Sequence, residues 1–193
     1  RANSLQKTRR RVGKMHMSRM VESASHIKNT RSLVKCAMLL AIQVVLNATV
    51  SIYVTQNIRI SFGFLVVAST AAMFGPVPAM LNAAAADVIG VIIKPAGPYF
   101  PGFTLSAILG ALIYGVAFYG RDIKVSTVLI AKLAVDVLVN LALNSLWLQM
   151  LYGTAFFAAL PARAVKNLLQ YPIDVALLFP VLLAVRRYAG ARR

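Results

Sequence analysis

The chain has 193 residues, of which 59% are hydrophobic and 13% are charged, whereas a soluble domain carries about 25% charged and about 45–50% apolar residues. This composition argues against a soluble globular fold and excludes intrinsic disorder outside a tail. Lysine and arginine number 21 against 5 aspartate and glutamate, an excess that indicates nucleic acid binding in a soluble protein but reports orientation in a membrane protein.

Residues 1–32 form a basic segment that lacks any apolar stretch long enough to span a bilayer. They hold nine of the 21 cations and a single acid. The helical spacing of Met20, Ala24 and Ile27 allows a short interfacial helix, but we expect a solvated cytoplasmic tail. The natural chain could start at one of the methionines in this segment, so its first residues need not be native. Residues 189–193 form a second, shorter basic tail.

From Leu33 onward the chain is apolar almost to its end, so we expect an all-α integral membrane protein. A membrane-spanning helix needs about 20 apolar residues, and roughly 160 residues accommodate six of them with connections. The alternating segments of a membrane β-barrel are absent, so strands are not expected. The membrane domain should cover residues 33–188. Its predicted spans are 33–54, 61–74, 77–93, 104–119, 125–151 and 168–187.

The positions of the basic residues predict which side the chain ends face. Six spans put both termini on one side, and that side then carries 17 of the 21 cations, including Lys132 at the start of the fifth span. Because cytoplasmic segments are enriched in Lys and Arg, both termini should be cytoplasmic, and the basic tail is not a sign of nucleic acid binding.

The sequence contains no motif of an enzyme or a metal site. The single cysteine, Cys36, excludes an internal disulfide and a cysteine-rich metal cluster. Both histidines, His16 and His26, lie in the basic segment. Phosphate loops of the GxxxxGK[ST] type, GxSxG and HExxH are all missing. We therefore expect no catalytic residue, no metal and no cofactor, and ATP hydrolysis would need another chain.

Several polar residues fall at membrane depth in the fifth predicted span. Asp136, Asn140 and Asn144 lie four residues apart and share one helix face, with Trp147 three residues further on. Polar groups are costly in the bilayer, so these face protein or a water-filled cavity. For Asp136 we favour hydrogen bonding between helices, and for Asn144 and Trp147 a ligand pocket.

The outer side should carry only four cations, each next to a predicted span end: Arg59, Lys94, Arg163 and Lys166. Snorkelling at the membrane interface would explain them. An electropositive mouth that attracts a carboxylate would explain them equally well. Asp174 lies close to the last two in sequence.

The loop of residues 94–104 contains three prolines and two glycines, which rule out a continuous helix. It also carries Tyr99, Phe100 and Phe103. An aromatic belt at the membrane interface is one interpretation. We favour a lid or clamp, because aromatic rings on a rigid backbone stack well on a flat heteroaromatic ligand.

Five segments of the chain carry a resemblance to a known family. They are 58–62, 86–90, 94–107, 144–148 and 161–167. They resemble the substrate-binding S-components of energy-coupling-factor (ECF) vitamin transporters, most closely the folate-specific members, over about residues 33–188. The Tyr-Phe-Pro-Gly-Phe-Thr loop is the most specific element. Ala37 and Ala41 look like the family's AxxxA signature, and small residues four apart let another helix approach closely.

The resemblance implies a multi-pass protein of a prokaryotic cell membrane with six helices and an outward-facing vitamin pocket. It also implies partners: a transmembrane coupling subunit (EcfT), against which the Ala37 and Ala41 surface packs, and two ATPases (EcfA and EcfA′) that use the ATP. Folate is then the expected ligand, and this chain is not an enzyme. The implied substrate-binding residues are Arg59, Tyr99, Phe100, Pro101, Gly102, Phe103, Thr104, Asn144, Trp147, Arg163, Lys166 and Asp174.

The chemistry of folate agrees with that set of residues. Its planar pterin and aminobenzoyl ring call for aromatic side chains, its pterin edge for Asn144 or Asp174, and its two carboxylates for Arg59, Arg163 and Lys166. Thiamine is cationic and pantothenate has no ring, so these vitamins fit less well but remain alternatives. A structural membrane subunit whose basic tail binds anionic lipid or RNA is a further alternative.

Overall fold

The computed structural model describes residues 20–49, 52–55, 58–95, 98–153 and 156–190. Most of the predicted basic tails, residues 1–19 and 191–193, lies outside the described residues. The side chain of Arg59 also lies outside the described part, and only its backbone position is given.

Eight α-helices make up most of the described chain. A π-helical segment, Val135–Leu143, joins α6 to α7 without a break, and a short antiparallel hairpin precedes α3. The helices are α1 (20–28), α2 (Thr30–Thr49), α3 (Gly63–Phe74), α4 (Pro76–Ile93), α5 (Pro101–Phe118), α6 (Val125–Ala134), α7 (Asn144–Tyr152) and α8 (Phe156–Gly190). The strands are β1 (Ile52–Thr55) and β2 (Ile58–Ile60).

Five helical stretches in the described residues are long and apolar enough to cross a membrane. They are Thr30–Thr49, Pro76–Ile93, Pro101–Phe118, Val125–Tyr152 and Arg163–Tyr188. Helix α3 has only 12 residues. At about 1.5 Å per residue it measures about 18 Å, against about 30 Å of hydrocarbon in a bilayer. Length therefore supports five spans, and the sixth stays a prediction.

The end of the first predicted span is wrong. The sequence predicts a helix to residue 54, but α2 ends at Thr49 and the hairpin follows. Ile52 pairs with Ile60 and Tyr53 with Arg59. Most residues of the two strands are β-branched, and this favours strands over helix once the chain leaves the apolar run. The expectation that strands are absent fails here, although helices dominate the rest of the described chain.

Helix α1 corrects the expectation of a solvated tail for residues 20–28. Ser23 is fully buried, and its Oγ donates to Phe74 O and accepts from Val77 N. It thereby fixes the corner at Gly75, where φ is +87° and a side chain would be strained. His26 packs edge-on against Phe74, with ring centroids 5.9 Å apart. The helix thus belongs to the folded part of the molecule.

Small residues let α3, α4 and α5 approach one another closely. Ala68, Ala71 and Ala79 are fully buried, and Gly115 of α5 faces Pro76 of α4. A Cβ at Gly115 would lie 2.5 Å from the Pro76 Cα, so this contact needs glycine. Close backbone approach through small residues is the usual way to pack helices in a membrane.

The longest helix, α8, starts well before the predicted sixth span of residues 168–187 and ends three residues after it. Pro161, Pro172 and Pro180 lie inside it. Each proline removes a backbone donor, and membrane helices tolerate this where neighbouring groups satisfy the freed carbonyls. At its far end Arg186 pairs with Asp122 at 2.8 Å, which places the end of α8 beside the loop after α5.

Candidate ligand-binding site

A cavity of about 500 Å³ lies among α2, α3, α4, α5, the π-helical segment, α7 and α8. Its volume falls within the range of small-molecule sites, about 300–1,000 Å³. Apolar side chains such as Val67, Val139 and Leu148 form much of the wall, with polar groups set between them. Four residues of the predicted substrate-binding set line it: Phe103, Asn144, Arg163 and Lys166.

Three side-chain oxygen atoms of residues that line the cavity are buried and have no hydrogen-bond partner among the described residues. They belong to Gln43 (Oε1), Tyr114 (OH) and Asn144 (Oδ1). A buried polar group left unpaired costs about 1–3 kcal/mol. The three residues lie on different helices yet line one cavity, so a ligand with a polar edge could satisfy their oxygens together.

Cations line the same cavity from two helices. Arg163 is only 8% exposed, and its Nη1 donates to Ser145 Oγ at 3.3 Å. Lys166 lies one turn further along α8. Lys94, at the end of α4, donates from Nζ to Ala48 O at 3.2 Å. Positive charge held in a partly dry cavity attracts anions such as carboxylates.

The aromatic residues of the 94–104 loop form a cluster with α7. The ring centroids of Phe100 and Trp147 are 5.8 Å apart, and those of Phe100 and Phe103 are 6.1 Å apart. Trp147 Nε1 donates to Ser106 Oγ at 3.0 Å. A Cβ at Gly102 would meet both Phe100 and Trp147 within 2.6 Å. Of the three rings, only Phe103 reaches the cavity wall; the other two hold it in place.

Tyr99, Pro101 and Thr104 frame the cavity and do not line it. The Tyr99 hydroxyl lies 3.0 Å from Thr104 Oγ1, which donates to Asp87 Oδ2 at 2.7 Å. Pro101 is the first residue of α5, where its missing N–H costs nothing. These contacts tie the loop to α4, and Asp87 itself lines the cavity.

Asp174 lies in a buried ion cluster and does not line the cavity. It is 1% exposed, and its Oδ2 lies 2.9 Å from Lys132 Nζ. Lys132 is also 2.6 Å from Asp136 Oδ1. The sequence counted Lys132 among the cations of the cytoplasmic side, but it is 4% exposed and paired with two carboxylates, so it is not a surface cation. Lys132 is therefore no longer counted among the cations that predict the orientation of the chain in the membrane.

Comparison with known proteins identifies the family. The model of the family described as "ECF transporter, substrate-specific component" matches residues 31–182. The chain belongs to this family. It is a family of transporter components rather than of enzymes, and the several long apolar helices of this chain indicate a multi-pass membrane protein.

Relatives of this S-component include two curated proteins named Folate transporter FolT. The one from Clostridium novyi (strain NT) is 42% identical over 153 residues, covering 79% of this chain and 88% of the relative. The one from Leuconostoc mesenteroides subsp. mesenteroides is 40% identical over 157 residues, covering 77% and 83%. A solved structure described as FolT bound with folic acid superposes with a TM-score of 0.74 at 36% identity, covering 78% of this chain and 92% of that one.

The predicted substrate-binding set omitted several residues that line the cavity of this S-component. Gln43 and Asn47 lie four residues apart in α2, and Asn47 Oδ1 accepts from Ser61 Oγ at 2.6 Å. Their signal was present, because two amides at helical spacing inside an apolar span face protein. Tyr114 gave no such signal, since one aromatic residue within an apolar helix resembles any core residue.

Ala37 and Ala41 lie on the opposite side of α2 from the cavity. Both are exposed, and so are Val34, Met38 and Val45 around them. Gln43 and Val44, which turn inward, are buried. The S-component thus presents a flat strip of small and apolar side chains to its surroundings.

Proposed function

We propose that this S-component captures folate in the cavity and delivers it through an ECF energising module. The observation that carries the proposal is the cavity itself, whose wall combines unpartnered amide and hydroxyl oxygens, the Phe103 ring and the cations of α8. Folate needs these three kinds of contact for its pterin edge, its rings and its carboxylates. The relatives named folate transporters, and the similar structure that holds folic acid, support this choice of ligand.

Asn144 accepts a hydrogen bond from the pterin edge in this proposal, with Tyr114 and Gln43 on the same wall. Phe103 stacks on a ring of the ligand, with Phe100, Gly102 and Trp147 behind it. Arg163 and Lys166 pair with the glutamate carboxylates. Arg59 remains a candidate cation at the mouth. Asp174 acts as support, because its carboxylate is committed to Lys132.

In the membrane, α3 would complete a six-helix bundle. It supplies a buried run, Ala68 to Ala71, at the centre of the described helices. Thinning of the bilayer or tilting of the neighbouring helices would accommodate the short length of α3. Helix α1 and the end of α8 both contact the segment Tyr119–Asp122, which supports termini on one side. The remaining Lys and Arg bias assigns that side to the cytoplasm of a prokaryotic cell.

The exposed strip around Ala37 and Ala41 is our proposed contact with the transmembrane coupling subunit, EcfT. Small side chains permit backbone approach and a contact that can form and break. The ATPases, EcfA and EcfA′, would bind that subunit and hydrolyse the ATP, since no phosphate loop occurs in this sequence.

Titration calorimetry of the detergent-purified protein with folic acid, thiamine and pantothenate tests the ligand. Folic acid should bind with one-to-one stoichiometry at submicromolar concentration, and the other two should give no saturable heat. Saturable binding of thiamine or pantothenate in place of folic acid would refute folate specificity while sparing the family. Absence of binding to all three would refute the vitamin-binding function of this cavity.

A further inference from the structure

A ladder of hydrogen bonds runs along one face of the helix from α6 to α7 and ends at the cavity. Lys132 Nζ donates to Asp136 Oδ1 at 2.6 Å, and Asn140 Nδ2 donates to the same oxygen at 2.8 Å. Asn144 Nδ2 donates to Asn140 Oδ1 at 3.4 Å. The last two residues line the cavity and the first two do not. The ladder therefore connects a buried ion cluster to the ligand-facing wall.

The chemistry of the first residues fixes the direction of every bond in the ladder. Lys132 can only donate, and Asp136 as a carboxylate can only accept. Asn140 must therefore turn its NH₂ toward Asp136 and its carbonyl toward Asn144. Asn144 must donate in turn, because the reverse orientation would bring two carbonyl oxygens face to face. Its own carbonyl is left as the remaining acceptor, and Asn144 Oδ1 is buried and has no partner among the described residues.

Burial makes this direction hard to reverse. Lys132, Asp136 and Asp174 are 4%, 6% and 1% exposed, so the carboxylate that Asn140 faces is held in place, and a flipped Asn140 amide would turn its oxygen toward that buried charge. Lys132 is further held 2.9 Å from Asp174 Oδ2 of α8, which ties the ladder to a second helix. The π-helical segment carries Asp136 and Asn140, and such segments are frequent at functional sites.

We infer that Lys132, Asp136 and Asn140 are positioning residues that hold Asn144 as a hydrogen-bond acceptor, so that the cavity selects a ligand edge that donates. This inference rests on the proposed function and deepens it. On folic acid the donors of the pterin edge are the 2-amino group and the N3 proton. A ligand that lacks the donor facing Asn144 Oδ1 leaves a buried acceptor unpaired, and sites of this kind reject such ligands strongly.

The test compares folic acid with two analogues whose pterin donors are changed. The 2-desamino-2-methyl analogue lacks the exocyclic amine, and the 4-amino-4-deoxy analogue lacks the N3 proton and carries an amino donor in place of the 4-oxo acceptor. Wild-type protein should prefer folic acid over at least one of them by about tenfold or more, the value of one buried hydrogen bond. Asn140→Leu removes the partner that fixes the Asn144 amide, so the amide can turn and offer the ligand either its carbonyl or its NH₂. The preference for folic acid should then fall below about threefold, because Asn144 can form one hydrogen bond with each ligand.

Two controls separate positioning from a general loss of structure. Asp136→Asn should keep the wild-type preference, because Lys132 still requires an acceptor and holds the new amide in the same direction. In an Asn144→Leu background, adding Asn140→Leu should leave the preference unchanged, since Asn140 acts only through Asn144. Asn140→Ser replaces Asn140→Leu if the leucine variant is not monodisperse, because the serine hydroxyl is too short to bridge Asp136 and Asn144.

The possible outcomes separate the inference about Asn144 from the proposed function. An Asn140 variant that keeps the wild-type preference, or that weakens all three ligands equally, overturns the inference and leaves the proposed function standing. Wild-type protein that shows no preference among the three also overturns the inference alone. Wild-type protein that does not bind folic acid overturns the proposed function and the inference with it.

Discussion

Helices α3, α4 and α5 pack through alanine and glycine, whereas α6, the π-helical segment and α8 pack around charged and amide side chains. We call the first group the small-residue half and the second, together with α7, the polar half. In the small-residue half, van der Waals contact between close backbones holds the helices. In the polar half, Lys132 bridges Asp136 and Asp174. The difference shows that two kinds of interaction hold the helices together, close backbone packing in one half and buried ion pairs in the other.

Removing the charge at the centre of the polar half should have the largest effect. Lys132→Met leaves two buried carboxylates without their cation and should lower the unfolding free energy by about 3–5 kcal/mol. Unfolding in mixed micelles measures this. Lys124→Met, which removes an exposed lysine of the loop before α6, is the control and should change little.

Replacing all three charged residues of the buried ion cluster tests whether the loss of stability comes from the unpaired carboxylates. The triple variant K132M/D136L/D174L removes all three charges, so most of the lost stability should return. If Lys132→Met unfolds like its control, the cluster does not hold the polar half together.

Arg163→Ala should have the next largest effect, this time on binding. It removes a buried cation from the cavity and should weaken the binding of folic acid by about 2–5 kcal/mol, as for other desolvated charge pairs. Calorimetry measures the change, with Arg187→Ala at the exposed end of α8 as the control. Unchanged affinity would remove Arg163 from the binding site.

In the small-residue half, added volume should matter more than charge. At Gly115 a Cβ would lie 2.5 Å from the Pro76 Cα, so Gly115→Ala should destabilise by about 1–3 kcal/mol. Gly90→Ala is a matched control, because nothing lies within 4 Å of its Cβ position. That variant should be neutral or slightly stabilising, since alanine favours helix. Equal melting of the two variants would contradict the tight packing of α4 and α5.

The exposed strip of α2 belongs to neither half, and changes there should spare both stability and folate binding. Ala41→Trp should instead weaken assembly with a purified ECF module by tenfold or more, about 1.4 kcal/mol, because a bulky ring blocks close approach. Pull-down of the module measures this. Leu81→Trp, at an equally open position on α4, is the control. Normal assembly by the Ala41 variant would place the coupling contact elsewhere.

Sequence patterns predicted the long apolar helices of both halves better than the shorter elements outside them. Spans 77–93 and 125–151 agree with α4 and with Val125–Tyr152 to within one residue, because length and apolar continuity determine where such helices begin and end. The end of the first span was misplaced because β1 continues the apolar run of α2, and the polar boundary at Gln56 and Asn57 comes only after it. Helix α1 failed because Ser23 is buried by Phe74 and Val77, about 50 residues away in sequence.

The site was predicted only in part, because a sequence pattern shows which residues share a face of one helix and not which helices meet. The spacing of Asp136, Asn140 and Asn144 revealed their common face, because it is a property of a single helix. Lys132 was misplaced because its second partner, Asp174, comes from another helix that no local pattern can connect to it. Gln43 and Tyr114 likewise become neighbours of Asn144 only when three helices meet at the cavity.

A crystal structure of this protein with folic acid would locate the binding site. We expect the ligand inside the cavity, with a pterin N–H within hydrogen-bond distance of Asn144 Oδ1 and a carboxylate within about 4 Å of Arg163 or Lys166. Folic acid bound outside the cavity, or bound inside it without contact to Asn144 and to either cation, would show that the cavity is not the folate site proposed for this protein.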